Sequence, residues 1–98
     1  MIGKTALEGS IRISPTGNVG IDESESLQKA LNDAVHAGGG VEVDLEDCRS
    51  LSSSAIGALI ACHNLLRSRG ARLKVTGASE DMLKLLRLMG LDRHFELA

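Results

Sequence analysis

Leu27, Ala30, Leu31, Ala34 and Val35 recur at intervals of three and four with polar residues between them. This is the stripe of a helix buried along one side. The acidic run Asp22-Glu23-Ser24-Glu25 suits its positive end, and Gly38-Gly39-Gly40 stops it. A second stripe runs from Ser52-Ser53-Ser54 through Ile56, Leu59, Ile60, His63 and Leu66 to a stop near Gly70. A third follows Ser79, an expected N-cap, with Met82, Leu85, Leu86 and Met89 facing inward and Gly90 closing the helix.

The segments between the stripes change period. Ile11-Arg12-Ile13, Val41-Glu42-Val43-Asp44-Leu45 and Leu73-Lys74-Val75 alternate apolar and charged residues, the pattern of half-buried strands. Arg12, Glu42 and Lys74 then share one wet face, which places the helices on the other. Ile2 to Leu7 gives a fourth, weaker strand, turned into the next by Glu8-Gly9. Strands alternating with helices through short joints pair in parallel by right-handed crossovers. The expected architecture is one small two-layer α/β domain over residues 1–98, a mixed four-stranded sheet with its helices packed mainly on one face.

Composition narrows the function. With 43% apolar and 24% charged residues, one Phe and no Trp or Tyr, the chain has an aliphatic core and lacks the aromatic platforms that stack single-stranded bases. Lys and Arg number 11 against 13 Asp and Glu, a net charge of −2, so neither nucleic acid nor an anionic membrane is an expected partner. No apolar run is long enough to span a bilayer and no secretory h-region opens the sequence, so no membrane insertion and a cytoplasmic location are expected. Cys48, placed at the end of a strand-like run, and Cys62, inside a helix, are read as buried free thiols.

The three serines are the candidate chemistry. Ser52 as an N-cap needs no function, because its oxygen meets an otherwise unpaired first-turn N–H. The same position lies at the carboxyl end of a strand in an open α/β sheet, where ligands bind, and a phosphate there meets free N–H groups and a favourable dipole. Other chemistries fit less well. Ser53, His63 and Asp44 are the residue types of a nucleophilic triad, but there is no G-x-S-x-G elbow, and His63 lies about 15 Å along the helix from Ser53 at 1.5 Å per residue. His63 reads as a packed residue at the edge of the core, with His36 and His94 no better placed for catalysis. Gly38-Gly39-Gly40 follows a helix instead of opening one, so it is no phosphate loop. No Cys/His spacing resembles a metal site, and Glu46-Asp47 has no His partner, so neither metal nor cofactor is expected.

Val41 to Leu97, beginning "VEVDLEDCRSLSSSAIGALIACHNLL", resembles the second half of a STAS domain, the fold of the bacterial anti-sigma factor antagonists. In that family a strand ending in Asp-Leu leads to Asp-Ser-Ser-Gly-Leu-Gly, a helix, a Gly-rich turn, a strand and a last helix ending in Gly-Leu. Asp44-Leu45 match the strand end, Ser53 the serine that partner kinases phosphorylate, Ser54 the next serine, and Ile56-Gly57 the Leu-Gly pair. Ser52 stands where the family has Asp, Ala55 where it has Gly, and Gly17-Asn18-Val19-Gly20 where it has Gly-x-Leu-Asp.

The resemblance implies a non-enzymatic regulator. It would bind an anti-sigma factor that is itself a serine kinase, using its own ATP, through Asn18, Ser52, Ser53, Ser54, Ala55 and Ile56. Phosphorylation at Ser53, or alternatively Ser54, would end the interaction. The alternative is a constitutive docking subunit of an ABC-type lipid transporter or of a stress-signalling scaffold, and a third reading is a small-anion site on the same helix start.

Overall fold

The turn at Glu8-Gly9 folds strand β1 (Ile2–Leu7) back along β2 (Ser10–Pro15) as an antiparallel hairpin, with Leu7 opposite Ser10 and Gly9 at φ +78°. The computed structural model describes residues 1–98. From β2 onward the pairing is parallel: β2 with β4 (Gly40–Asp44), β4 with β6 (Lys74–Thr76), and β6 with the two-residue β7 (Glu96–Leu97). The sheet order is β1-β2-β4-β6-β7. The expected mixed four-stranded sheet is therefore present, extended by a short fifth strand at the C-terminus.

The register explains the alternation. Ile13, Val43, Val75 and Leu97 form one row across the sheet, and the next row places Arg12, Glu42, Lys74 and Glu96 side by side on the opposite face. Side chains in one strand alternate faces, so the aliphatic row is buried, with Leu97 at its edge partly so, and the charged row is its reverse. That reverse face is less open than the sequence implies. Glu42 is only 9% exposed, because Arg12 Nε donates to its Oε2 at 2.6 Å and Lys74 Nζ lies 3.9 Å from Oε1. The Glu42 carboxylate raises the Arg12 pKa, first through that hydrogen bond and then through its charge. Flanking cations cover the carboxylate with their stems, as long basic side chains do.

Helix α1 (Ile21–His36) starts where Glu23 Oε2 accepts the Gly20 N–H at 3.1 Å, and it buries Leu27, Leu31, Ala34 and Val35 as its stripe requires. Its C-terminal carbonyl at Val35, together with that of Gly39, accepts from the Arg69 guanidinium at 2.8 and 2.6 Å. The glycine stop also serves a close approach: a Cβ on Gly39 would stand 2.7 Å from the Gly9 carbonyl oxygen. Helix α2 (Ser53–Arg67) packs along α1 and buries Ala55, Ile56, Ala58, Leu59, Cys62, His63 and Leu66.

Helix α3 (Glu80–Leu88) corrects one expectation. Met82 and Leu86 are buried, but Leu85 and Met89 are 42% and 47% exposed, not inward. A nine-residue helix at the margin of the layer meets its neighbours along one narrow line, so the rest of its apolar stripe stays uncovered. Beyond it a 3₁₀ turn (Leu91–Arg93) carries Phe95, the only aromatic residue, into the core at 1% exposure. Arg72 fastens this tail, donating through Nε and Nη2 to the carbonyls of His94 and Phe95, both at 2.9 Å.

Two further strands lie outside the main sheet. β3 (Gly17–Val19) and β5 (Cys48–Leu51) pair in parallel, so Cys48 opens a strand instead of ending one, and the connection before α2 is not plain loop.

Candidate functional site

The β3/β5 pair sets the position of the α2 start. Ser52 N–H donates to the Val19 carbonyl at 2.8 Å, and Ser50 Oγ donates across the same pair to Asn18 Oδ1 at 2.9 Å. Ser52 sits in extended backbone at φ −67°, ψ 164°, and its Oγ accepts the Ala55 N–H at 3.1 Å while its carbonyl accepts that of Ile56 at 3.0 Å. The expected cap is thus present. Because Ser52 is committed on both of its oxygens and on its nitrogen, it is a structural residue of the site.

Ser53 and Ser54 are exposed and their hydroxyls hold no protein partner. Their N–H groups belong to the first helical turn, which has no acceptor one turn back within the helix. No acidic side chain occupies that turn of α2 to offset the positive end of its dipole. The structure brings Asn18, Ser52, Ser53 and Ser54 to one rim. Ala55 and Ile56 follow directly but turn inward, Ala55 completely.

Ile56 instead reaches the wall of a groove of about 240 Å³ between β5 and α3, lined also by Leu51, Met82, Leu85 and Leu86, with Arg49 and Asp81 at its edge. Sequence reasoning missed this groove. Its signal lies in the third stripe: Leu85 reads as core, yet it is left 42% exposed on the groove wall opposite Ile56 and Leu51. On the other side of the sheet rim, Asp44 Oδ1 accepts the Glu46 N–H at 3.0 Å, and Gly77 at φ +70° lies so close that a Cβ there would come within 2.7 Å of Asp44 Oδ1.

The remaining candidates lie elsewhere. His63 is buried near the far end of α2, where its Nδ1 accepts the Leu73 N–H at 3.4 Å and its ring meets Phe95 edge-on at 5.5 Å between centroids. Burial, followed by the charges of His94, Arg72 and Arg67, lowers its pKa. Both cysteines are buried free thiols, and burial raises both pKa values, Cys62 to about 11. They are therefore poor thiolate nucleophiles. No helix is long and apolar enough to cross a membrane.

A family model described as "Mlab, STAS domain" matches residues 2–97. The chain belongs to the STAS domain family. No curated protein matches it in sequence. Among solved structures, this STAS domain is similar to a Thermotoga maritima protein described as a candidate anti-sigma factor antagonist, at 18% identity and a TM-score of 0.88, covering 98% of this chain and 84% of that one. An anti-sigma factor antagonist from Mycobacterium paratuberculosis superposes with a TM-score of 0.87 at 20% identity, covering 99% and 83%. The Bacillus cell fate determinant SpoIIAA in its phosphorylated form gives 0.80 at 17% identity, covering 100% and 91%. At these identities the likeness establishes the fold, a mixed sheet with three helices, which is the fold of solved anti-sigma factor antagonists.

Proposed function

We propose that this STAS domain is an anti-sigma factor antagonist that docks its partner on the start of α2 and is switched off by phosphorylation of Ser53. The partner is an anti-sigma factor with serine kinase activity, which brings its own ATP, so the domain needs no cofactor and performs no catalysis. The observation that carries the reading is the division of labour among the serines. Ser52 is consumed by the cap, whereas Ser53 offers a free, exposed hydroxyl at the positive end of a helix. SpoIIAA, of the same fold, is known in both unphosphorylated and phosphorylated forms.

The physics gives the switch its direction. A phosphate adds about −1.5 to −2 charges at pH 7, and within the domain that charge faces unpaired N–H groups and the dipole, so the fold tolerates it. Across an interface the same group is desolvated or set against an acidic surface, at a cost of several kcal/mol. Every 1.4 kcal/mol is about tenfold in affinity. Asn18 and the groove beside Ile56 give the partner a polar contact and an apolar one on either side of the serine.

Intact mass of the protein from its own host, with calorimetric titration against a candidate anti-sigma factor kinase, tests this reading. One added phosphate on Ser53, undiminished binding by Ser53→Ala and about a hundredfold or greater loss in Ser53→Asp are expected. A phosphate found on Ser54 alone would move the switch by one residue. Full-strength binding by Ser53→Asp with no phosphate on either serine would leave constitutive docking to a transporter or signalling complex as the account.

A further inference from the structure

The far end of α2 carries a charge cluster that the docking site does not use. The exposed Arg67 in the last turn of α2, Arg72 before β6, and Arg93 and His94 at the 3₁₀ turn, with the buried His63, line an open surface hollow of about 220 Å³ in which every lining residue is basic. The clustering runs against the composition. The chain has 13 acidic residues and a net charge of −2, yet none of those carboxylates lines this cavity. The only ion pairs in the molecule are those of Arg12 and Lys74 with Glu42, on the open face of the sheet.

The guanidinium hydrogen bonds of the molecule come from Arg12, Arg69 and Arg72, so Arg67 and Arg93 have no partner. Arg72 is held in plane by its two carbonyl acceptors and keeps Nη1 unused. Three like charges gathered around one hollow repel each other, and a bound anion relieves that repulsion. The mutual influence is visible at His63, whose pKa is lowered in part by His94, Arg72 and Arg67. The negative end of the α2 dipole opposes an anion with about half a charge, which three guanidinium groups outweigh.

Guanidinium groups in a fixed plane match the oxygens of a phosphate better than a point cation does. A second cavity of about 300 Å³ adjoins the first, sharing His63, Arg67 and His94, and its remaining wall is Ile60, Met89, Leu91 and Phe95 with Asn64. A cationic hollow opening into an apolar one has the size and chemistry of a small-molecule site, of roughly 300–1,000 Å³. Nucleic acid is a poor fit, since the charge is confined to one hollow and no exposed aromatic residue flanks it. We propose that the paired cavity binds a phosphate monoester bearing an apolar group, with the phosphate held by Arg67, Arg72 and Arg93 and the apolar part lying on Ile60, Met89 and Leu91.

The site lies about 20 Å along α2 from Ser53, at 1.5 Å per residue, so it stands or falls independently of the switch. The test is titration of the ¹⁵N-labelled chain with phenyl phosphate at low salt. Saturable shifts at the amides of residues 63–67 and 91–95 are expected, with inorganic phosphate moving the same amides about tenfold more weakly because it lacks the ring. Arg67→Gln with Arg93→Gln removes two side chains that hold nothing in the fold. This double variant should keep the parent spectrum and bind phenyl phosphate at least about tenfold more weakly. Arg49→Gln, beside the other groove, should bind as the parent does.

Flotation with phosphatidylcholine vesicles containing phosphatidic acid identifies the source of the phosphate. Co-flotation lost in the double variant assigns it to a lipid headgroup, and no flotation to a soluble ester. Unsaturable shifts scattered over Arg12, Arg49 and the lysines, equal affinity for inorganic and phenyl phosphate, or a double variant that binds phenyl phosphate as the parent does would each overturn the proposal.

Discussion

At its N-terminal end α2 begins on a hydroxyl: Ser52 closes the cap, and beyond it stand two small neutral side chains and a set of unpaired N–H groups. At its C-terminal end the same helix runs into Arg67, Arg72 and Arg93, full charges around a hollow. The first end offers partial charge and little bulk, so a neutral protein surface can close over it and one added phosphate changes its character. The second offers integer charge on long side chains, so it holds an anion only while salt is low. Surface interactions between full charges fade beyond a Debye length of about 10 Å at 0.1 M salt. Partner docking at the serines should therefore resist salt that abolishes anion binding at the arginines. If both weaken in parallel on raising salt, the contrast between the ends is wrong.

The largest effect breaks both ends together. Leu59 is fully buried midway along α2, where it joins the layer formed with α1 to the sheet. Leu59→Ala should cost about 2 to 5 kcal/mol through lost burial and the cavity left behind. Urea unfolding with an unchanged m-value measures it. A loss below about 1 kcal/mol would mean that α2 is not anchored through its centre, and the two ends would then have no common scaffold.

Much of this arrangement is legible in the chain because it is local. Ser52 and Ser79 announce caps that the structure contains, the α1 stripe predicts its buried face, and the alternation around Arg12, Glu42 and Lys74 places all three on one sheet face. What escapes is what only distant pairing creates. β3 and β5 are three and four residues long, too short for a period to show, and each exists because the other lies beside it. Glu96–Leu97 becomes a strand only where Arg72 and the 3₁₀ turn deliver it to β6. The serines are contiguous and stand out, whereas Arg67, Arg72 and Arg93 are spread over 27 positions among other charged residues and meet only after the tail folds back. Leu85 was misplaced for the opposite reason: a periodic stripe says which side of a helix is apolar, not how much of that side is covered.

At the arginine end, acid acts on stability through His63. His63 is buried, its Nδ1 accepts the Leu73 N–H, and its pKa is lowered below the ordinary value of 6.5, first by burial and then by the neighbouring cations. The unfolded chain thus binds the proton more readily than the folded one. Between the two pKa values the unfolded state carries more protons, so stability rises with pH there. The His63 contribution is complete above about pH 6.5 and is lost as pH falls through that value toward the folded pKa. Thermal melts at low ionic strength should show this decline in the parent and its reduction in His63→Gln, which cannot be protonated. An unchanged decline in His63→Gln would assign the acid sensitivity to other groups.

The smallest effects separate the serines from one another. Ser52→Ala removes the acceptor for the Ala55 N–H and should cost about 1 kcal/mol, as lost caps do. Ser52→Asp keeps an acceptor and adds a negative charge at the positive helix end, so it should match or exceed the parent by about 0.3 to 1 kcal/mol. Ser53→Ala touches no internal hydrogen bond and should stay within about 0.5 kcal/mol. Chemical denaturation of the three variants checks this order. A Ser53→Ala loss equal to that of Ser52→Ala would show that Ser53 also serves the cap, and its hydroxyl would then not be free to accept a phosphate without a cost to the fold.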